Sequence, residues 1–108
     1  MHWVTLNHSD QLSSLVEHSF KQDQVIFKHS TRCSISMLAK NRLEKFTSSE
    51  NLTFHYLDLL NYRALSNAIA DRFNVEHASP QILLIRNGEC IYDESHHAIT
   101  VDDLMLQR

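Results

Sequence analysis

A chain of 108 residues with one glycine and one proline has few places to turn sharply, so Gly88 and Pro80 punctuate it. Residues 81–86 (Gln-Ile-Leu-Leu-Ile-Arg) and 89–94 (Glu-Cys-Ile-Tyr-Asp-Glu) flank Asn87-Gly88. That dipeptide tolerates two positive φ angles, which predicts a two-residue β-hairpin. Upstream, the short apolar run 24–28 suits a central strand, and residues 52–57 alternate as a second one. Residues 3–6 are a candidate edge strand.

Helices fill the intervals. Ile35, Ala39, Leu43 and Phe46 repeat at helical spacing, as do Tyr62, Leu65, Ile69 and Phe73, with Asn61 as the expected cap. Leu12, Leu15 and Val16 mark a helix near the start, and Thr100 with Asp103 opens a last short helix carrying Leu104 and Met105. Strands separated by helices of this length pair in parallel through right-handed crossovers, and the hairpin adds an antiparallel edge. The expectation is an α/β fold: one domain over 1–108, a central mixed sheet of four or five strands flanked by helices, and a C-terminal hairpin and helix. Phe46, Phe54, Tyr56 and Phe73 are assigned to packing.

Composition narrows the function. A hydrophobic fraction of 43% with 21% charged residues suits a folded soluble domain, and no apolar run approaches the roughly 18 residues that span a bilayer. The formal charge of −3 offers no basic excess for a phosphate backbone, so neither nucleic acid nor membrane is expected as a partner. Residues 1–6 lack the basic and apolar stretches of a secretory signal, which points to the cytoplasm. The eight histidines, at 2, 8, 18, 29, 55, 77, 96 and 97, show no ligand-type spacing, and no metal is expected.

The chemistry rests on Cys33, just past the first central strand and at the opening of the next helix, in Thr31-Arg32-Cys33-Ser34-Ile35-Ser36. Unpaired N–H groups and the positive end of the helix dipole stabilise a thiolate at such a place, and the thiolate is the species that attacks a disulfide. Arg32 adds positive charge beside it. The spacing is Cys-x-x-Ser, so Ser36 stands where a redox pair has its second sulfur, and one thiol can form a mixed disulfide without closing an internal one. Ser36 is expected either to donate a hydrogen bond to the Cys33 sulfur or to satisfy first-turn backbone groups.

Strand, cysteine at a helix start, strand, helix, Ser79-Pro80, hairpin, helix is the thioredoxin architecture in order, in which a cis-proline lies beside the reactive cysteine. Over nearly its whole length the chain resembles the YtxJ-type proteins of the bacillithiol system, the monothiol bacilliredoxin-like family. His29-Ser30-Thr31, Cys33, Ile35-Ser36, Ser79-Pro80-Gln81, Asn87-Gly88, Ser95-His96 and Ile99-Thr100 carry the resemblance. It departs from the family at Ser34, where a proline is usual.

The resemblance implies removal of bacillithiol from protein mixed disulfides by Cys33, with bacillithiol as co-substrate and no permanently bound cofactor. Implied partners are bacillithiolated proteins, bacillithiol and a separate bacillithiol-disulfide reductase. Thr31, Ser34, Ser79, Pro80, Ser95 and His96 are the candidate substrate-binding residues. Two other readings stand beside this one: a thioredoxin-fold binding module in which Cys33 is incidental, and an iron–sulfur carrier like the monothiol glutaredoxins. The latter have Gly-Phe where this chain has Ser34-Ile35.

Hairpin arithmetic places the remaining candidates. With a two-residue turn, Cys90 pairs with Ile85, about 17 Å along the strand from Pro80 at ~3.3 Å per residue, too far for a disulfide with Cys33. The same count sets Ser95 opposite Pro80 and brings His96 to the groove. His29, four residues before Cys33, either faces the thiol or points to the other side of the sheet. Six positions before Cys33, where dithiol thioredoxins commonly bury an Asp, this chain has Phe27.

Overall fold

The structure, a computed structural model, describes residues 2–45 and 52–107. In chain order its elements are β1 (Trp3–Thr5), α1 (Ser9–His18), β2 (Asp23–His29), α2 (Ser34–Glu44), β3 (Leu52–Asp58), α3 (Arg63–Phe73), β4 (Gln81–Arg86), β5 (Glu89–Ser95), a 3-10 turn (His96–Ala98) and α4 (Val101–Leu106). The strands form one sheet in the order β1-β3-β2-β4-β5. β1 and β2 both run parallel to β3, whereas β4 is antiparallel to β2 and β5 antiparallel to β4. The mixed sheet and edge strand agree with the pattern of apolar runs. Phe46, expected at the end of α2, lies outside the described residues.

Alternation along the strands divides the interior into two layers. Ile26, Leu57, Leu83 and Ile85 face α1 and α3, where Leu12, Leu15, Leu65, Ile69 and Phe73 close the first core. Val25, Phe27, Phe54, Ile82 and Leu84 face α2 and α4, where Ala39, Leu43 and Leu104 close the second. β2 is buried on both faces because it lies between β3 and β4 with helices above and below. This explains why its sequence reads as a run and not as an alternation.

The hairpin turn has the positive φ angles its sequence demands, 51° at Asn87 and 78° at Gly88. It is fastened to the end of α1: Asn87 N donates to the Ser19 carbonyl at 3.0 Å and Gly88 N to Ser19 Oγ at 2.8 Å. Cys90 pairs with Ile85 as expected, but Leu84 then pairs with Tyr92, so Ile91 is an extra residue in β5. The bulge sends Cys90 to the first core and Tyr92 to the second. It also corrects the pairing expected further on, because Ser95 lies opposite Gln81 and not opposite Pro80.

The helix starts differ in how much of each is local. Thr100 Oγ1 accepts from Asp103 N at 3.2 Å, as its spacing implies. At α3 the N-cap is Tyr62 and not Asn61, since the Asn61 amide turns back to donate to Asp58 Oδ2 at 2.7 Å. At α1 the cap is His8, whose Nδ1 accepts from Asp10 N at 3.1 Å while Gln11 Oε1 accepts from His8 N at 2.8 Å.

Candidate functional site

Three chain segments meet at the end of the sheet where β2 stops. Lys28 pairs with Gln81, so the segment leaving β2 and the Ser79–Pro80 peptide entering β4 lie side by side. That peptide bond is cis, and Pro80 is buried. The third segment follows β5: His96 N donates to the Pro80 carbonyl at 3.1 Å, and Arg42 of α2 donates to the His97 carbonyl at 3.2 Å. The bulge therefore makes His96 the residue tied to Pro80, with Ser95 one step inside. His96 has a φ of 56° and an exposed side chain.

Cys33 is the N-cap residue of α2, with extended φ and ψ of −112° and 119°. Its N–H is held by the Ser30 carbonyl at 3.2 Å, and its carbonyl accepts from Met37 N at 3.1 Å, so the backbone on both sides of the thiol is fixed. The sulfur makes no side-chain cap bond, and the thiol is free and partly exposed. Thr31, Arg32 and Ser34 around it are exposed or partly so.

Ser36 is fully buried at the third position of the helix. Its hydroxyl oxygen accepts from Ser30 N at 3.0 Å and lies 2.6 Å from His29 Nδ1. The expected bond from Ser36 to the Cys33 sulfur is not among those formed by the described residues. Two stronger claims on that hydroxyl, the end of β2 and the Ser30 amide, come from inside the protein.

His29 resolves the two orientations its sequence leaves open. It lies on the same sheet face as Phe27, the side covered by α2, and it is 2% exposed. Its ring stacks on Phe27 with centroids 5.6 Å apart and meets Tyr56 at 5.4 Å. Burial first, and the Lys40 ammonium second, hold its pKa below the usual imidazole range. A neutral ring that braces Ser36 supplies no positive charge to a thiolate. Lys40 is itself engaged, paired with Glu44 at 2.7 Å and lying 5.8 Å from the centroid of Tyr56.

On the other side of the groove, the segment before Pro80 is braced by Gln81, whose Nε2 donates to the Glu76 carbonyl at 2.9 Å. Ser79 Oγ is buried and has no hydrogen-bond partner among the described residues. Cys90 is remote from all of this. It packs against the first core, and burial pushes its thiol pKa up to about 11.

Three features here do not emerge from the sequence alone: the His29–Ser36 bond, the Tyr56 ring over His29, and the unpaired Ser79 hydroxyl. Strand parity carries the signal for the first, since residues 25, 27 and 29 must share a face.

Comparison with known proteins agrees with this geometry. Among solved structures, a thioredoxin-fold protein provisionally described as an oxidoreductase is 32% identical, with a TM-score of 0.86 over 96% of this chain and 91% of that one. A thioredoxin of Malassezia sympodialis (14% identity, TM-score 0.76, 99% of this chain and 87% of that one) shares the fold. So does a thioredoxin of Fasciola hepatica (15% identity, TM-score 0.73, 95% of this chain and 93% of that one). The family model for the monothiol bacilliredoxin BrxC matches residues 4–104. With the cysteine at a helix start, the neighbouring cis-proline and a match over almost its full length, the chain belongs to the monothiol bacilliredoxin family, redox proteins of thioredoxin fold.

Proposed function

We propose that the protein removes bacillithiol from protein mixed disulfides, using Cys33 as its single nucleophile. The observation that carries this reading is the pairing of a partly exposed thiol at the N-cap of α2 with a buried serine where a resolving cysteine would stand. Family membership supports the choice of thiol.

In the first step the Cys33 thiolate attacks the bacillithiol sulfur of the modified protein. The old S–S bond breaks, the protein sulfur leaves as a thiolate and takes up a proton, and bacillithiol remains on Cys33. A second bacillithiol thiolate then attacks the bacillithiol sulfur of that adduct, which releases bacillithiol disulfide and restores the Cys33 thiolate. Overall one S–S bond is exchanged for another, the incoming bacillithiol sulfur being oxidised as the protein sulfur is reduced, and a separate reductase returns the bacillithiol disulfide to the thiol. Ser36 cannot intercept the adduct, because an oxygen at that position forms no disulfide.

The groove supplies the contacts. Thr31, Arg32 and Ser34 present polar groups beside the thiol, and the Ser79 hydroxyl is a buried hydrogen-bonding group awaiting a partner. His96, held against Pro80 through its backbone, projects toward solvent with Ser95 behind it. The reading includes a cytoplasmic location; among the described residues no helix is long and apolar enough to cross a membrane.

Whole-protein mass spectrometry tests it. The reduced protein is incubated with a bacillithiolated model protein, alongside Cys33→Ser, Cys90→Ser and a glutathionylated substrate. One bacillithiol adduct that persists in Cys90→Ser, vanishes in Cys33→Ser and is faint with glutathione is the expected pattern. A substrate that stays modified, with no adduct on Cys33, would overturn the proposal.

A further inference from the structure

At the far end of the sheet from Cys33, a cavity of about 490 Å3 opens between α1 and the starts of β2 and β3. Its size falls within the roughly 300–1,000 Å3 of small-molecule sites. Val4 and the buried Leu15 give it apolar walls, Gln24 and His55 are its buried polar residues, and the exposed side chains of His18 and Lys21 stand at its edge. Among the described residues no carboxylate lines it.

The hydrogen bonding around His55 is one-sided. Gln24 Nε2 donates to the Gln22 carbonyl at 3.0 Å, which turns Gln24 Oε1 toward His55 Nε2 at 2.7 Å. That oxygen can only accept, so Nε2 carries the ring hydrogen and Nδ1 presents a lone pair. Nδ1 is buried and has no partner among the described residues, and the residue as a whole is 8% exposed. Burial, with a smaller effect of His18, pushes the ring pKa to about 4, so near neutrality the ring does not satisfy Nδ1 with a second proton of its own. An unmet buried acceptor is unfavourable, and a donor brought from outside would relieve it.

We propose that this cavity binds a small hydroxy acid, with its hydroxyl donating to His55 Nδ1, its apolar body against Val4 and Leu15, and its carboxylate paired with the Lys21 ammonium. The site uses no group of the Cys33 groove, and β2, whose seven residues span roughly 20 Å at ~3.3 Å each, separates the two.

Long-range proton–nitrogen NMR of the histidine rings in the whole protein, near pH 7, tests this directly. The probes are 3- and 4-hydroxyphenylacetate, with phenylacetate as the acid lacking a hydroxyl. At least one hydroxy acid should bind saturably and move His55 Nδ1 upfield as its lone pair is engaged. Phenylacetate should bind about tenfold or more weakly, the effect of losing one buried hydrogen bond. Lys21→Ala, a change at an exposed position, should weaken the hydroxy acid severalfold while the protein's spectrum stays folded. Equal binding of phenylacetate, an indifferent Lys21→Ala, or no saturable shift from either hydroxy acid at millimolar concentration would each overturn the proposal. The last result would leave the cavity to solvent.

Discussion

His29 Nδ1 and Ser36 Oγ lie 2.6 Å apart inside the protein and join the last residue of β2 to the first turn of α2. Between them runs the segment that carries the thiol, so the bond closes a short ring of chain around Cys33. Ser36→Ala removes the acceptor for Ser30 N as well and should cost about 1–3 kcal/mol in urea unfolding. His29→Phe keeps a ring between Phe27 and Tyr56 but loses the nitrogen. The two changes should couple by roughly 1 kcal/mol in a double-mutant cycle, and strictly additive losses would show that the bond contributes nothing.

The two thiols should react at very different rates. Both thiols are partly exposed, but Cys33 stands at a helix start, whereas Cys90 packs against the first core, and the burial this brings lifts its pKa to about 11 and leaves little thiolate at pH 8. Brief treatment of the native protein with iodoacetamide should add one label, on Cys33, and treatment in urea should add two. Native labelling of Cys90 at a comparable rate would contradict the packing found here.

Acid should destabilise the fold before its carboxylates are protonated. The folded pKa of His55, about 4, lies below an unfolded value near 6.5, so the unfolded chain binds the extra proton in that window. Stability is therefore complete above about pH 6.5 and is lost as the pH falls toward 4, on the order of 3 kcal/mol from this residue. Burial lowers His29 and His77 too, which act in the same direction. Urea midpoints for the native protein should fall between pH 7.5 and 4.5, and less steeply for His55→Gln. His55 ring resonances that titrate near 6.5 in the intact protein would refute the account.

The hairpin offers a backbone test. A side chain at Gly88 meets a φ of 78°, and its Cβ would stand 3.2 Å from Phe20 Cζ. Phe20 is an exposed, movable side chain, so the φ angle is the larger obstacle. Gly88→Ala should lower stability by about 1–2 kcal/mol in thermal melts. The same loss should appear when Phe20 is also Ala, and recovery in that background would assign the cost to the contact instead.

The features legible in the sequence are those with a local cause. The strands follow from apolar runs and the turn from Asn87-Gly88. The thiol's setting at a helix start follows from a strand that ends four residues earlier. What escapes a sequence reading is which of several near partners a side chain takes. His8 does not read as a cap because its ring serves only when Gln11 completes the exchange from the other side. Asn61 does read as one because nothing local shows that Asp58 claims its amide. Ser36 invites pairing with Cys33, its near neighbour, whereas its partner is His29 across the β2–α2 junction.

The extra residue at Ile91 changes how this hairpin must be compared with others. Counted outward from the turn, position 95 faces the proline; counted from the proline itself, position 96 does. Two proteins with identical turns and identical groove sequences would expose different side chains there if only one carried the bulge. Groove residues in thioredoxin-fold proteins are therefore best matched by distance from the cis-proline, because a single inserted residue in the hairpin renumbers everything beyond it.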